Sequence, residues 1–159
     1  MGYYVTLTNT NAVVPTANLA DAYQAVCRMN ERNDLKRGGS GAYAFGRTPE
    51  GEDPIEGPHD KVWFSWMDWN YPETCPDLAA VLRQLGFRFQ EHEDGIVFMY
   101  YEDKTGAEDV FLGALAPFLT SDDDEPPMFE WRGEDGALWK QVVVAGVMMT
   151  YEGKVVYEA

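Results

Sequence analysis

Basic residues, cysteines and long apolar runs are all scarce in this chain. Only twelve Lys and Arg stand against twenty-seven Asp and Glu, for a formal net charge of −15, and this balance opposes binding of a polyanionic nucleic acid. The two cysteines, Cys27 and Cys75, are too few for a disulfide framework or a site of four thiolates, and they fit a reducing compartment. No apolar run approaches the roughly 18 residues of a membrane span, and the first residues lack the basic and apolar regions of a signal peptide. We therefore expect a soluble, intracellular protein that does not engage a membrane.

What the chain does contain is enough apolar material for one core. Of its 159 residues, 45% are hydrophobic and 14% are aromatic, which is sufficient for a single hydrophobic core at this size. We find no repeat of fixed period. The sequence therefore predicts one domain over residues 1–159, with a long surface loop at 33–58 and an acidic loop at 120–127.

Hydrophobic patterning predicts antiparallel strands mixed with about three helices, which defines the α+β class with helices packed on one face of a sheet. The predicted strands are Tyr3–Leu7, Lys61–Trp66, Phe87–His92, Ile96–Tyr101, Met128–Arg132, Leu138–Ala145, Val147–Glu152 and Lys154–Tyr157, and a short strand is compatible with Ala42–Phe45. The predicted helices are Leu19–Asn30 capped by Asn18, a helix that begins at Thr74 or Asp77 and stops at Gly86, and Ala107–Leu119. Asp94-Gly95 is expected to turn the hairpin between Phe87–His92 and Ile96–Tyr101.

Negative charge is concentrated in residues 91–135. This segment holds fourteen acidic residues and two basic ones, so it carries twelve of the fifteen net negative charges. Because it also contains apolar runs, we expect it to be folded rather than a tail. A partner for it should be a basic protein, or one that normally binds a polyanion. The candidate binding carboxylates are those of Glu102, Asp103, Glu108 and Asp109, although general acidity also serves solubility.

Six short stretches spread over most of the chain form a specific set. They are Asp34–Ser40, Trp63–Met67, Leu85–Phe87, Asp103–Gly106, Phe111–Phe118 and Glu130–Gly136. As a set they resemble a group of small acidic proteins from bacteria and bacteriophages. None of the stretches is a catalytic signature, and the resemblance brings no activity with it. It implies that the protein is encoded by a phage or prophage and is located in the cytoplasm of a bacterial host cell.

A cysteine nucleophile is the simplest catalytic hypothesis. Cys75 precedes a proline near a predicted helix start, where the pKa of a thiol can fall, and His92 with Asp94 would be its base and orienting group. Nothing in their spacing brings these residues together, so a structural thiol is the favoured interpretation. We predict that Cys75, His92 and His59 do not form a site, and that Cys27 belongs to the core.

Metal binding has little support from the pattern of potential ligands. His92 lies between Glu91 and Glu93 on a predicted strand, and alternate strand residues point to opposite faces, which opposes a three-ligand cluster. The acidic run at 122–125 lacks the spacing of a calcium-binding loop. No metal and no cofactor are expected.

Positive charge is clustered once, between Arg28 and Gly41. Arg28 and Arg32 lead into Lys36 and Arg37, which precede a glycine-rich run. Backbone amides of such a loop and nearby cations can hold an anion, although the glycines are not followed by the Lys-Ser or Lys-Thr of a P-loop. An anion site in this region remains an open alternative.

The stretch from Trp63 to Tyr71 is rich in aromatic residues. Alternation assigns Val62, Phe64 and Trp66 to one buried face of the predicted strand. Trp63, Trp69 and Tyr71 are expected to stay partly exposed, and exposed Trp and Tyr are enriched at interface hot spots. Core packing is the competing interpretation of the whole stretch.

Together these features predict a non-enzymatic acidic binding protein that engages a host or phage protein through an acidic surface, in one version by occupying a nucleic-acid-binding groove in place of phosphates. The alternative is a small enzyme or a nucleotide- or anion-binding protein that uses the region from Arg28 to Gly41. The candidate binding residues are Glu102, Asp103, Glu108, Asp109, Trp69, Tyr71 and Arg37. The oligomeric state does not follow from the sequence.

Overall fold

The computed structural model describes residues 2–104 and 106–158, so Thr105 of the Asp103–Gly106 stretch lies outside the described residues. The strands are β1 Val5–Thr10, β2 Ala12–Pro15, β3 Gly38–Gly39, β4 Val62–Trp63, β5 Arg88–His92, β6 Gly95–Tyr100, β7 Glu102–Asp103, β8 Thr120–Ser121, β9 Met128–Gly133, β10 Leu138–Val144 and β11 Val147–Gly153. The α-helices are α1 Leu19–Arg28, α2 Tyr71–Thr74, α3 Leu78–Leu85 and α4 Glu108–Leu115. Short 3-10 turns occupy Thr16–Asn18, Met29–Glu31, Asn33–Leu35, Gly41–Gly46 and Ala116–Phe118.

Antiparallel pairing places most strands in two sheets. The larger sheet has the order β11-β10-β9-β1-β7, the smaller has the order β5-β6-β2-β8, and β3 pairs separately with β4. The chain passes from one sheet to the other at Asn11, which is buried. Its side-chain amide donates to Asp123 Oδ1 and to the carbonyl of Pro126, at 2.9 and 3.0 Å. The acidic loop is thereby tied to the junction of the sheets, and the predicted α+β class is confirmed.

One hydrophobic cluster fills the interior and includes residues from both sheets and from the helices. Helix α1 packs against α3 and α4. Edge-to-face ring contacts join Phe64, Tyr71 and Phe111 at separations of 5.0–6.3 Å, a geometry that aromatic pairs favour. A single core agrees with a single domain.

Local sequence signals predicted several elements correctly. Asp77 caps α3, since its carboxylate accepts from the backbone N–H of Ala80 at 2.9 Å, and Gly86 ends the helix with a φ of 102°. The hairpin of β5 and β6 and the meander of β9, β10 and β11 are also confirmed. The hairpin turn lies at Glu93 and Asp94 rather than Asp94-Gly95, because His92 pairs with Gly95. Gly95 instead allows β6 to pack closely against β2, because a Cβ there would lie 2.1 Å from the carbonyl oxygen of Val14.

Other predicted elements are wrong. The stretch Ala42–Phe45 is a 3-10 turn, and the strand expected over Lys61–Trp66 is reduced to β4. Asn18 does not cap α1, since its amide donates instead to the carbonyl of Phe118. Lys154–Tyr157 has no strand partner and is exposed. Strand β2 was missed because it has only four residues and its last is Pro15, a residue that argues against a strand when it is read from sequence.

Within the described residues, no helix is long and apolar enough to cross a lipid bilayer.

Candidate functional site

Four segments that are distant in sequence form a groove of about 470 Å³, which we call the aromatic groove. Its main side chains are Arg37, Phe45, Trp63, Ser65, Trp66 and Lys104. Arg37 and Phe45 come from the long loop, Lys104 follows β7, and the backbone at Gly2 completes the lining. Trp63 is the last residue of β4, and Ser65 and Trp66 follow it. The volume lies within the range of about 300–1,000 Å³ that is usual for ligand pockets.

Trp66 is held outward by an unusual backbone turn. The backbone N–H of Met67 donates to the carbonyl of Phe64 at 3.0 Å, and Trp66, the third residue of this turn, has a φ of 67°. Phe64 and Met67 are buried, whereas 70% of Trp66 is exposed. Positive φ at the third position is typical of type II turns, which normally place Gly or Asn there. The turn therefore exposes a large aromatic side chain and strains its backbone.

Phe45 repeats this combination on the opposite segment. Its φ is 61°, and 68% of the residue is exposed. Its backbone N–H donates to the carbonyl of Arg37 at 2.8 Å, which closes the loop on itself. A bulky residue in the left-handed region is rare, and both Phe45 and Trp66 line this groove.

Glycines in the long loop allow it to approach the segment that contains β4. Gly38 pairs with Trp63, and Gly39 pairs with Val62. A Cβ at Gly38 would lie 2.3 Å from the indole of Trp63, and a Cβ at Gly39 would lie 2.5 Å from the carbonyl oxygen of Tyr43. Any other residue would separate the segments, so the glycine-rich run assembles the groove.

The groove carries positive charge in a strongly acidic protein. Arg37 is exposed, and Lys104 is half-buried with its Nζ 5.3 Å from the ring centroid of Tyr4. Among residues 2–104 and 106–158, the ion pairs involve other groups. Both cations are therefore open to a ligand. Two acidic residues, Glu102 and Asp103 of β7, directly precede Lys104 in the chain, but neither lines the groove, and the Glu102 carboxylate accepts a hydrogen bond from the Tyr100 hydroxyl.

Lys36, beneath the loop, is buried. It is 1% exposed, its Nζ donates to the carbonyl of Asn30 at 2.7 Å, and it lies 5.8 Å from the ring centroid of Phe64. Burial lowers the pKa of Lys36 to about 8, although the nearby Glu31 opposes this effect. Arg32 pairs with Asp34 at 2.9 Å. Of the sequence-predicted basic cluster, Arg37 is the member that lines the aromatic groove.

The four candidate carboxylates do not form one surface. Glu108 is buried, contrary to expectation, and its Oε2 accepts from the Tyr101 hydroxyl at 3.3 Å. Asp109 is exposed and accepts from the side-chain amide of Gln141 at 3.0 Å. Glu102 and Asp103 lie on β7 instead. The start of α4 carries Glu108 into the interior, where its hydrogen bond replaces solvent.

A second acidic region lies at the hairpin tip. The side chains of His92, Glu93, Asp94 and Asp122 line a cleft of about 680 Å³ beside β2. The backbone N–H of Asp122 donates to the carbonyl of Asn11 at 3.0 Å, and this hydrogen bond holds Asp122 beside the hairpin tip. Segment 91–135 therefore presents negative charge in more than one place.

The aromatic candidates divide between the core and the surface. Tyr71 is completely buried, and its hydroxyl donates to the carbonyl of Val26 at 2.5 Å, so the expectation that it is exposed is wrong. Trp69 is 36% exposed but does not line the aromatic groove. Trp66 was assigned to the buried face because strand alternation was extended past Trp63. Phe45 and Lys104 carried no sequence signal.

The nucleophile and ligand candidates occupy separate environments. Cys75 is buried, and burial raises the pKa of its thiol. His92 is exposed with its Nε2 2.9 Å from Gln90 Oε1, and His59 lies 3.0 Å from Asp60. In the described part of the chain, no three His, Cys, Asp or Glu side chains are placed to hold a metal ion.

Comparison with known proteins gives no further guide. No family model matches the chain, and no curated protein or solved structure matches it. The resemblance to small acidic proteins of bacteria and bacteriophages therefore stays a prediction. Function has to be argued from the geometry of the surface.

Proposed function

We propose that this chain is a non-enzymatic binding protein that docks a partner protein in the aromatic groove. The observation that carries the proposal is the pairing of exposure with backbone strain at Trp66 and Phe45. Strained backbone persists where the surrounding structure enforces it, and it is concentrated at functional sites. A solitary exposed aromatic residue needs no explanation, but two that face one groove do.

The groove has the composition of an interface hot spot. Trp and Arg dominate the binding energy of protein interfaces, usually from the centre of the contact. Covering Trp66 and Phe45 would remove most of two large aromatic side chains from water, at about 25 cal/mol for each Å² of apolar surface. Arg37 adds a cation with five donor hydrogens that match a carboxylate or carbonyl group.

Charge around the groove governs approach of the partner. Glu102 and Asp103 form β7, directly before the groove residue Lys104, and the whole chain has a net charge of −15. The net negative field of the chain accelerates encounter with a basic partner, whereas Arg37 and Lys104 require that the segment docked in the groove present carbonyl or carboxylate groups. The proposed partner is therefore a basic or nucleic-acid-binding protein in the cytoplasm of a bacterial host cell, and the chain is proposed to be of phage or prophage origin. Mimicry of nucleic acid is the narrower version of this proposal.

An anion-binding role for the region from Arg28 to Gly41 is the second candidate. The specific observation in its favour is that Arg37 and Lys104 face one groove together with stacking surfaces. Arg32 is already paired and Lys36 is buried, so the candidate reduces to these two cations. Weak, saturable binding of nucleotides to the isolated protein would favour it over protein docking.

The test is capture of partners from a bacterial host lysate followed by binding kinetics with the purified partner. Trp66→Ala should lower affinity by at least about tenfold, as expected for a hot-spot residue. Trp69→Ala is the matched control, because it removes the same side chain from the surface outside the groove. Equal losses from the two variants would contradict docking in the groove.

The role of the β7 carboxylates in association is tested by two double variants. Glu102→Lys with Asp103→Lys changes net charge by the same amount as Glu50→Lys with Asp53→Lys in the long loop. The first pair should slow association more, and rising salt from about 0.1 to 1 M should reduce the difference as the screening length falls. Equal effects of both pairs would mean that overall acidity, not the position of β7, governs association.

A further inference from the structure

The two edges of the five-stranded sheet differ sharply in their protection. Strand β7 at one edge has two residues, both acidic. Strand β11 at the other edge has seven residues, which pair with β10 in continuous register from Val147 to Gly153. It contains no proline and no lysine, and its one charge is Glu152. Proteins normally protect edge strands by shortness, charge, proline or bulges, and β11 has little such protection.

An apolar surface extends from β10 to this open edge. Cross-strand pairs join Val144 to Val147 and Val142 to Met149, and paired residues share one face of a sheet. Val144, Val147, Met149 and Tyr151 are 43–57% exposed. Met149 and Tyr151 follow Val147 at alternate positions of β11, so they lie on the same outer face of the sheet as Val144. We call this set, with Val142, the β11 surface.

We propose that the β11 surface is the contact between two copies of this chain, which pair through their β11 strands in antiparallel orientation. Such a contact is related by a two-fold axis, so the same residues serve on both sides. In a register centred on Thr150, Met149 of one copy lies opposite Tyr151 of the other. The pairing joins two five-stranded sheets and leaves neither copy with an open β11 edge.

Charge favours a second copy over a basic partner at this surface. Each chain carries a net charge of −15, yet residues 141–151 include no charged residue. The same register places Glu152 opposite Met148, so the β11 strands of two acidic molecules can meet without opposing carboxylates. Lys140, the β10 partner of Tyr151 on this face, adds a positive charge. A basic partner would find no row of carboxylates to pair with. The self-contact should therefore be strengthened by salt, because screening weakens the repulsion between the two copies.

The test is the mass of the protein in solution, by sedimentation or light scattering, over a wide range of protein concentration. Wild type is expected to approach twice its 17.9 kDa chain mass, at lower concentration as sodium chloride rises from about 0.05 to 0.5 M. Met149→Lys should weaken association by at least about tenfold, since each dimer loses two buried methionines. Met99→Lys is the matched control: Met99 is 50% exposed, and it lies on β6 in the interior of the smaller sheet.

Circular dichroism and thermal unfolding establish that each variant folds, and Tyr151→Lys replaces Met149→Lys if the latter does not. A wild type that remains monomeric under all conditions overturns the proposal. Equal weakening by Met149→Lys and Met99→Lys also overturns it, because general surface hydrophobicity would then drive association. Association that Met149→Lys leaves intact places the contact elsewhere and likewise overturns it.

Discussion

Replacing the buried Lys36 by methionine should change how the stability of this protein depends on alkaline pH. Burial lowers the pKa of Lys36 from 10.5 to about 8. Between these values the unfolded chain binds a proton that the folded chain has lost. Unfolding therefore takes up a proton, and this group makes the free energy of unfolding rise with pH across that window.

The size of the effect follows from the shift. One pH unit inside the window corresponds to about 1.4 kcal/mol for one proton. From pH 8 to about 9.5, wild type should therefore gain about 2 kcal/mol relative to Lys36→Met. Burial raises the pKa of thiols and phenols such as those of Cys75 and Tyr71, so these groups make the free energy of unfolding fall with rising pH. Wild type and Lys36→Met both contain them, and their contribution therefore cancels when the two free energies are subtracted.

The assay is urea unfolding followed by tryptophan fluorescence at several pH values. Lys61→Met is the control, since Lys61 is exposed and its loss changes net charge equally. Its stability curve should run parallel to that of wild type. If the curve of Lys36→Met also runs parallel to wild type between pH 8 and about 9.5, the reasoning about the buried amine is refuted.

Three further predictions concern backbone and capping. Trp66→Gly should raise the free energy of unfolding by about 1 kcal/mol by relieving the positive φ, while it abolishes partner capture; a destabilised variant would show that the strain is absent. Gly95→Ala should cost more than about 3 kcal/mol, because its Cβ would meet a carbonyl oxygen of β2, whereas Gly113→Ala on the open face of α4 should stabilise by about 1 kcal/mol; the reverse order in chemical denaturation would contradict the packing described. Asp77→Ala should lower stability by about 1 kcal/mol through loss of the α3 cap, and an unchanged unfolding midpoint would count against that hydrogen bond.

The two proposed surfaces are distinguished by their response to salt. Docking of a basic partner in the aromatic groove depends on attraction, so it should weaken as salt rises. Pairing through the β11 surface opposes the mutual repulsion of two acidic chains, so it should strengthen. One titration of both processes therefore separates them, and either surface can fail its test without affecting the other.

Signals that act within a few residues were readable from the sequence. Asp77 and Gly86 bound α3 because a cap and a left-handed residue are chemical requirements of helix ends. The hairpin and the closing meander followed from alternation and turn residues. Alternating patterns gave wrong predictions where no neighbouring strand pairs with the segment. Lys154–Tyr157 has the pattern of a strand but no strand partner, and Trp66 lies past the end of β4.

Burial of individual polar and aromatic residues depended on distant parts of the chain. Glu108 reads as a surface carboxylate, but the first turn of α4 carries it into the interior, where the Tyr101 hydroxyl donates to it. Tyr71 reads as an exposed aromatic residue, but its ring packs against Phe64 and Phe111 in the core, and the carbonyl of Val26 accepts from its buried hydroxyl. Such partners are set by tertiary packing, so residue type by itself does not determine exposure.

The sequence by itself determined the α+β class, most of the regular elements and the acidic character, because propensity, periodicity and composition act locally or as sums over the chain. Tertiary structure decided the aromatic groove. It brings Phe45, Trp66 and Lys104 together from three separate segments, and close approach at Gly38 fixes their spacing. The open edge at β11 likewise depends on strand order. Juxtaposition of this kind arises from long-range packing, which no local pattern encodes.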